Sequence, residues 1–200
     1  MKLICFCGID GSGKSSIINN FKKIYTNNYY IFKAFNYREN VNKFIIANPE
    51  ILPGNIQLYT KFYRRALLEA YILDFMYFFK IEIEPLLESD HIIICDRWYH
   101  CILAFALCLN IKNTQLLNSF IKIPKGDLIF HIKSDPLFAY KRQKFSTSSF
   151  RKELTLLEEY ANGYNTYFEV NKLNTIIIEN LDINISTQLV LNSINDLITN

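Results

Sequence analysis

"KLICFCGIDGSGKSS", residues 2–16, decides the fold. Residues 2–7 run almost continuously apolar instead of alternating, which reads as a parallel strand buried on both faces. Gly8, Gly13, Lys14 and Ser15 then satisfy G-x-x-x-x-G-K-[ST], and Ile17, Ile18, Phe21 and Ile24 follow at helical spacing. A strand, a glycine loop and a helix in that order make a phosphate cradle. The glycines allow backbone angles and close approaches that a Cβ would block, so amide N–H groups converge on an anion at the positive end of the helix. Gly8, Gly11, Ser12, Gly13, Lys14, Ser15 and Ser16 are the candidate phosphate contacts. Lys14 would reach the β- and γ-phosphates, and the Ser15 hydroxyl would ligate Mg²⁺.

Such a loop needs a carboxylate at the end of a neighbouring buried strand. "HIIICD", residues 91–96, supplies it: three isoleucines and a cysteine precede Asp96, and Arg97 follows where open α/β sheets bind ligands. Asp96 is the second candidate metal ligand beside Ser15, and Lys14, Asp96 and Arg97 form the candidate catalytic set.

The rest of the chain repeats the strand–helix alternation. Further strands read at 29–35, 127–132 and 174–180. Helices read at 14–25, at about 57–89 with Pro85 inside, from 97 to about 109, near 114–120, near 136–145, at 150–172 and at about 185–198. The expectation is an α/β protein with a P-loop NTPase-type three-layer fold. It has a five-stranded parallel sheet covered by helices on both faces, and residues 1–200 form one domain.

Composition agrees. Two hundred residues, half of them hydrophobic and 15% aromatic, suffice for one core. A net charge of +3 is too small for a nucleic-acid binder, which would carry a dense basic stripe. Cys5, Cys7, Cys95, Cys101 and Cys108 are odd in number, and the first three lie in strand-like runs, so buried reduced thiols are expected. His91, His100 and His131 have no metal-ligand spacing against them. No apolar run long enough to span a membrane occurs and the N-terminus does not read as a signal peptide, so a cytoplasmic protein is expected.

"GIDGSGKSS" (8–16) followed by "IIICDRW" (92–98) resembles the glycine loop and D-R-[YFH] motif of thymidylate kinases. "YRE" (37–39) stands where that family has R-E-P, "DPLFAYKRQ" (135–143) resembles the start of its lid helix, and "FRKE" (150–153) resembles D-R-x-E. The resemblance implies an ATP- and Mg²⁺-dependent kinase that converts dTMP to dTDP, with a lid at about 140–153. It also implies a homodimer packed through a helix such as Phe62 to Phe79, which is apolar almost all round. Its implied substrate contacts are Asp10 at the sugar 3′-hydroxyl, Arg38 and Arg97 at the acceptor phosphate with Arg64 a weaker candidate, Tyr71 stacked on the base and Phe105 crowding the 2′ position. Position 12 is Ser, so the transition-state arginine that some members carry there is missing, and Arg142 and Arg151, with Lys144 behind them, are the lid candidates.

The departures gather at the acceptor base. Where the family has a thymine-reading arginine, "ILDF" (72–75) places Phe75. Where it has S-[TN]-x-A-Y-Q, this chain reads "CILAFA" (101–106), with Cys101, Ile102 and Ala106 in place of polar groups, and "NVNK" (40–43) replaces P-G-G-T. Either the acceptor is another nucleotide, a nucleoside or a small metabolite, or residues such as Asn36, Asn40 or Tyr99 take over the contacts. A non-catalytic nucleotide-binding regulator is the remaining alternative. Its GTPase form is disfavoured because "ENLD" (179–182) lacks the lysine of N-K-x-D, and Lys14 and Asp96 are both kept.

Overall fold

The computed structural model describes residues 1–26, 28–35, 61–111, 115–143 and 154–199, the side chains of 61–64, 66, 115 and 116 excepted. Its strands are β1 (Lys2–Cys7), β2 (Tyr29–Lys33), β3 (Ile92–Asp96), β4 (Leu128–Lys133) and β5 (Thr175–Glu179). All pair in parallel in the order β2-β3-β1-β4-β5, which puts β1 in the middle, with Cys5 in register with Cys95 on one side and Ile129 on the other. The helices are α1 (Lys14–Ile24), α2 (Lys61–Phe78), α3 (Tyr99–Cys108), α4 (Gln115–Asn118), α5 (Pro136–Gln143), α6 (Leu154–Val170) and α7 (Ile183–Thr199).

Successive residues of a strand face opposite sides. In β1, Leu3, Cys5 and Cys7 pack against α2, α3 and α6, while Ile4 and Phe6 pack against α1 and α7. This is why the strands read as unbroken apolar runs: both faces of the sheet are covered. Among the described residues no helix is long and apolar enough to cross a membrane.

The structure revises the long helix expected at 57–89. The α-helix ends at Phe78, a π turn covers Phe79–Ile83, and a 3₁₀ turn covers Glu84–Leu86. Pro85 has no N–H to donate and its ring crowds the preceding turn, so the α ladder cannot continue through it. The short helix expected near 114–120 is likewise divided into α4 and a 3₁₀ turn at Ser119–Lys122. The expected lid falls between α5 and α6, and residues 144–153 lie outside the described ones. With every strand parallel, the carboxyl ends of β1, β3, β4 and β5 meet along one edge, and the glycine loop stands at its middle.

Candidate active site

Lys14 is buried, 5% exposed, and its ammonium donates to the carbonyls of Gly8 (2.9 Å) and Ile9 (2.7 Å) and to Ser12 Oγ (3.2 Å). The cation therefore sits inside the curl of its own loop. Burial first, then the nearby Arg97 guanidinium, lowers its pKa to about 8 although Asp96 and Asp10 pull the other way. An ammonium short of anionic company in this way gains most from a polyphosphate. Gly13 adopts φ 94, and a Cβ there would fall 2.1 Å from Asn180 Nδ2. That amide donates to the Ser12 carbonyl at 2.7 Å, and Asn180 Oδ1 accepts from Ser186 Oγ at 3.0 Å, so the turn after β5 props the loop from behind. Sequence reading missed Asn180; its only signal was a polar residue ending a strand.

The Ser15 hydroxyl donates to Asp96 Oδ2 at 2.9 Å. Two hard oxygens held together suit Mg²⁺, whose remaining positions water and phosphate would fill. No group of three or more His, Cys, Asp or Glu that could hold a metal occurs among the described residues.

Arg97 leaves the end of β3 with φ 77, a left-handed backbone that a non-glycine residue adopts only under constraint. This conformation turns its side chain back over the loop. One guanidinium nitrogen donates to the Gly8 carbonyl (3.1 Å) and to Tyr164 Oη (3.2 Å), and the other pairs with Asp10. Burial opposes its charge, but Asp10 and the surrounding groups hold it firmly protonated.

Beyond this pair opens a cavity lined by Ile9, Asp10, Phe35, Tyr71, Arg97, Cys101, Ile102, Phe105, Cys108, Tyr160 and Tyr164. Tyr71 and Phe105 meet edge to face at 5.7 Å, and so do Phe105 and Tyr160 at 5.1 Å. Asp10, Tyr71, Arg97, Cys101 and Phe105, singled out from the sequence, thus surround one space. Phe75 does not line it: at 0% exposure it packs edge-on against Trp98 (5.0 Å) and Phe120 (5.6 Å), a core ring in place of a base contact. Ala106 is also absent from the lining. Arg38 and Arg151 lie outside the described residues, as do Asn36, Asn40 and Lys144, and the side chain of Arg64 is outside them too.

Tyr160 and Tyr164 were not anticipated. They stand one turn apart on α6, on either side of Gly163, whose added Cβ would lie 2.7 Å from the Ala104 carbonyl and 2.2 Å from Cys108 Sγ. That glycine lets α6 close on α3 and brings both tyrosines over the cavity.

A second, larger cavity opens on the other side of Ile9, toward β4 and β5. Lys133, Asp135, Arg142, Asn162, Asn165, Glu179 and Asn180 are among its walls, and the buried His131 also lines it. Arg142 leans on the loop, donating to the carbonyls of Gly11 and Asn180 at 3.4 Å each.

The family model described as thymidylate kinase matches residues 6–194. A probable thymidylate kinase of Staphylothermus marinus is 28% identical over 137 residues, which is 68% of this chain and 65% of that relative, so less than two thirds of the relative's length is spanned. Among solved structures, a thymidylate kinase from Ehrlichia chaffeensis superposes with a TM-score of 0.66 at 21% identity, covering 97% of this chain and 98% of the other. A deoxyadenosine kinase from M. mycoides, solved with the products dCMP and dCDP, gives 0.63 at 19% identity over 97% and 99%. At these identities the two structures speak for the fold.

Proposed function

Because the chain belongs to the thymidylate kinase family, we propose that it transfers the γ-phosphoryl group of ATP to a nucleoside monophosphate, dTMP first, in the cavity bounded by Asp10 and Arg97. Residues 1–200 would form one kinase domain, with its lid at about 140–153. The observation that carries this reading is the Arg97 fork, anchored on the Gly8 carbonyl and on Asp10. It stands where the phosphate cradle and the aromatic cavity meet.

An acceptor phosphate held by Arg97 would present an oxygen to the γ-phosphorus; that P–O bond forms as the bond to the β–γ bridging oxygen breaks, and ADP leaves. Lys14 exchanges its loop carbonyls for phosphate oxygens and stabilises the charge spread over them. Mg²⁺, held by Ser15 and Asp96 when bound, would add neutralising charge. Arg142, already against the loop, is the described lid candidate; Arg151, with Lys144 behind it, is the other. Asp10 serves twice, orienting Arg97 and facing the sugar.

A coupled ADP-release assay with ATP and a panel of nucleosides and monophosphates tests the reading. Away from Asp10 and Arg97 the described lining is rings, thiols and aliphatic groups, with tyrosine hydroxyls as its polar atoms, so shape and stacking should dominate selectivity, and dTMP should exceed dUMP or dCMP by roughly 10- to 200-fold in kcat/KM. A preference of several thousand-fold would reveal polar readers elsewhere. Turnover of nucleosides but of no monophosphate would overturn the acceptor assignment in favour of a different kinase substrate.

A homodimer belongs to the same proposal. Leu73, Tyr77 and Ile81 stay 64%, 52% and 53% exposed along α2 and the π turn, an apolar stripe fit for a second copy. Light scattering of the purified chain should give twice the monomer mass; a monomer at tens of micromolar would remove this part. Reduced buried thiols and ATP as donor support a cytoplasmic enzyme.

A further inference from the structure

Asn180, buried just after β5, has a partner on every polar atom. Its N–H donates to the Lys133 carbonyl at 3.1 Å, and its own carbonyl accepts from Arg142 at 3.4 Å. Its Nδ2 donates to the Ser12 carbonyl at 2.7 Å. A carbonyl can only accept, so the amide nitrogen must be the end that faces Ser12. The amide oxygen is left to the Ser186 hydroxyl on α7, which is 2% exposed and donates to it at 3.0 Å. The orientation of the amide is therefore fixed from both ends.

The consequence lies across the Ser12–Gly13 peptide. That bond is trans, so its carbonyl and the Gly13 N–H point opposite ways. Holding the carbonyl on Asn180 aims the N–H away from the turn after β5, toward the side from which an anion meets the loop. Local geometry does not make this choice. Gly13 sits at φ 94, and turning the peptide over would carry it to a negative φ, which glycine adopts about as readily. The position needs glycine because a Cβ would run into the Asn180 amide, and that same glycine leaves the peptide free to turn. Behind it, α1 starts with no side-chain cap among the described residues and no acidic residue in its first turn, so its leading N–H groups are left for an anion.

We propose that Asn180 is a positioning residue for the donor nucleotide. It selects the one orientation of the Ser12–Gly13 peptide in which the Gly13 N–H faces the phosphates, and Ser186 holds the amide in the state that does so. Asn180 acts through the loop rather than on the reacting atoms. The inference rests on the donor half of the function proposed above and asks nothing of the acceptor.

The test is calorimetric binding of ADP and ATP, with Mg²⁺ present, to the unaltered chain and to Asn180→Ala, Asn180→Asp and Ser186→Ala, each checked by its melting curve. Asn180→Ala should weaken both nucleotides three- to tenfold, as expected for one lost hydrogen bond, and raise the ATP KM by the same factor with the acceptor KM unmoved. Asn180→Asp keeps the volume and an oxygen for Ser186 but has no N–H for the Ser12 carbonyl, so it should bind no better than Asn180→Ala. Ser186→Ala leaves the amide present but unheld, and should give a smaller loss in the same direction. Asn180→Asp binding as tightly as the unaltered chain would overturn the proposal, because volume and not the donated hydrogen bond would then shape the loop. Equal rises in the ATP and acceptor KM would also overturn it, as the mark of a general loosening. If Asn180→Ala does not fold, Asn180→Asp and Ser186→Ala carry the test. An unaltered chain that binds neither nucleotide would sink the donor reading itself, whereas tight binding untouched by all three substitutions would sink the positioning role alone.

Discussion

On the β4–β5 side of Ile9 the lining is rich in charged and polar groups, Lys133, Asp135, Arg142, Asn162, Asn165, Glu179 and Asn180 among them; on the β2–β3 side rings and thiols predominate around Asp10 and Arg97. The first side repeats the strand–loop–helix arrangement any triphosphate requires, because phosphate oxygens are read by N–H groups and cations whatever base they carry. The second side has to recognise one particular molecule, and its lining departs from the thymidylate kinase pattern. Arg97 is the hinge of the comparison. It belongs to the phosphate chemistry by charge, yet Tyr164 from the acceptor wall holds it in place.

The hardest blow to the donor side is Lys14→Ala. With the ammonium gone from the loop, kcat should fall about 10³-fold or more while the fold persists, as circular dichroism and the melting curve would show. Undiminished turnover in a folded variant would leave no distinct donor side to compare.

Arg97→Ala removes the group the two sides share. It should cost on the order of 10²-fold or more in kcat/KM for the acceptor, with both constants affected because the fork serves ground and transition states alike. Normal acceptor kinetics would move the monophosphate out of this cavity.

Acid should loosen the packing behind both sides of the site. His100 accepts from Tyr167 through Nδ1 (2.7 Å) and donates to the Lys125 carbonyl through Nε2 (2.6 Å), since a carbonyl can only accept. His131 stacks on Phe168 at 4.6 Å, and its buried Nδ1 has no hydrogen-bond partner among the described residues. Burial lowers both pKa values to about 4. The unfolded chain takes up these protons near pH 6.5, so the stabilisation is complete above that pH and is lost as pH falls toward 4. At pH 5 each histidine should cost on the order of 2 kcal/mol of stability. Both rings pack on α6, and His131 also lines the β4–β5 cavity, so the melting temperature should fall and both KM values should rise as the pH drops. A melting temperature unchanged from pH 7 to pH 5 would contradict this.

The finest test is Tyr164→Phe, which removes one hydroxyl from Arg97. A hydrogen bond of about 0.5–1.5 kcal/mol predicts a three- to tenfold loss in kcat/KM for the acceptor with the ATP KM unchanged. An equal loss in both substrates would mean that α6 supports the whole loop and not the acceptor side alone.

The legible parts of the chain were those where a local pattern carries its own physics. Residues 2–16 contain the strand, the turn and the helix of the cradle within one window, and five apolar runs divided by helices could form little but a covered parallel sheet. The acceptor wall offered no such window. Phe75 aligned with a base-reading position, yet an unpaired aromatic side chain is more stable among Trp98 and Phe120 than facing a wet pocket, so packing took it into the core. Tyr160 and Tyr164 looked like any helical aromatics until Gly163 brought α6 against α3.

By itself the sequence determined the parallel sheet, the phosphate loop with Lys14 and Ser15, the Asp96–Arg97 step at the end of β3, and the family. Only the tertiary structure decided that Phe75 turns into the core, that Tyr160 and Tyr164 join the acceptor cavity, and that Asn180 braces the loop from 168 residues away. The reason is one of range. Backbone geometry and apolar periodicity are set by neighbours in the chain. The surroundings of a side chain are set by whichever elements the core brings together, and no stretch of sequence states that on its own.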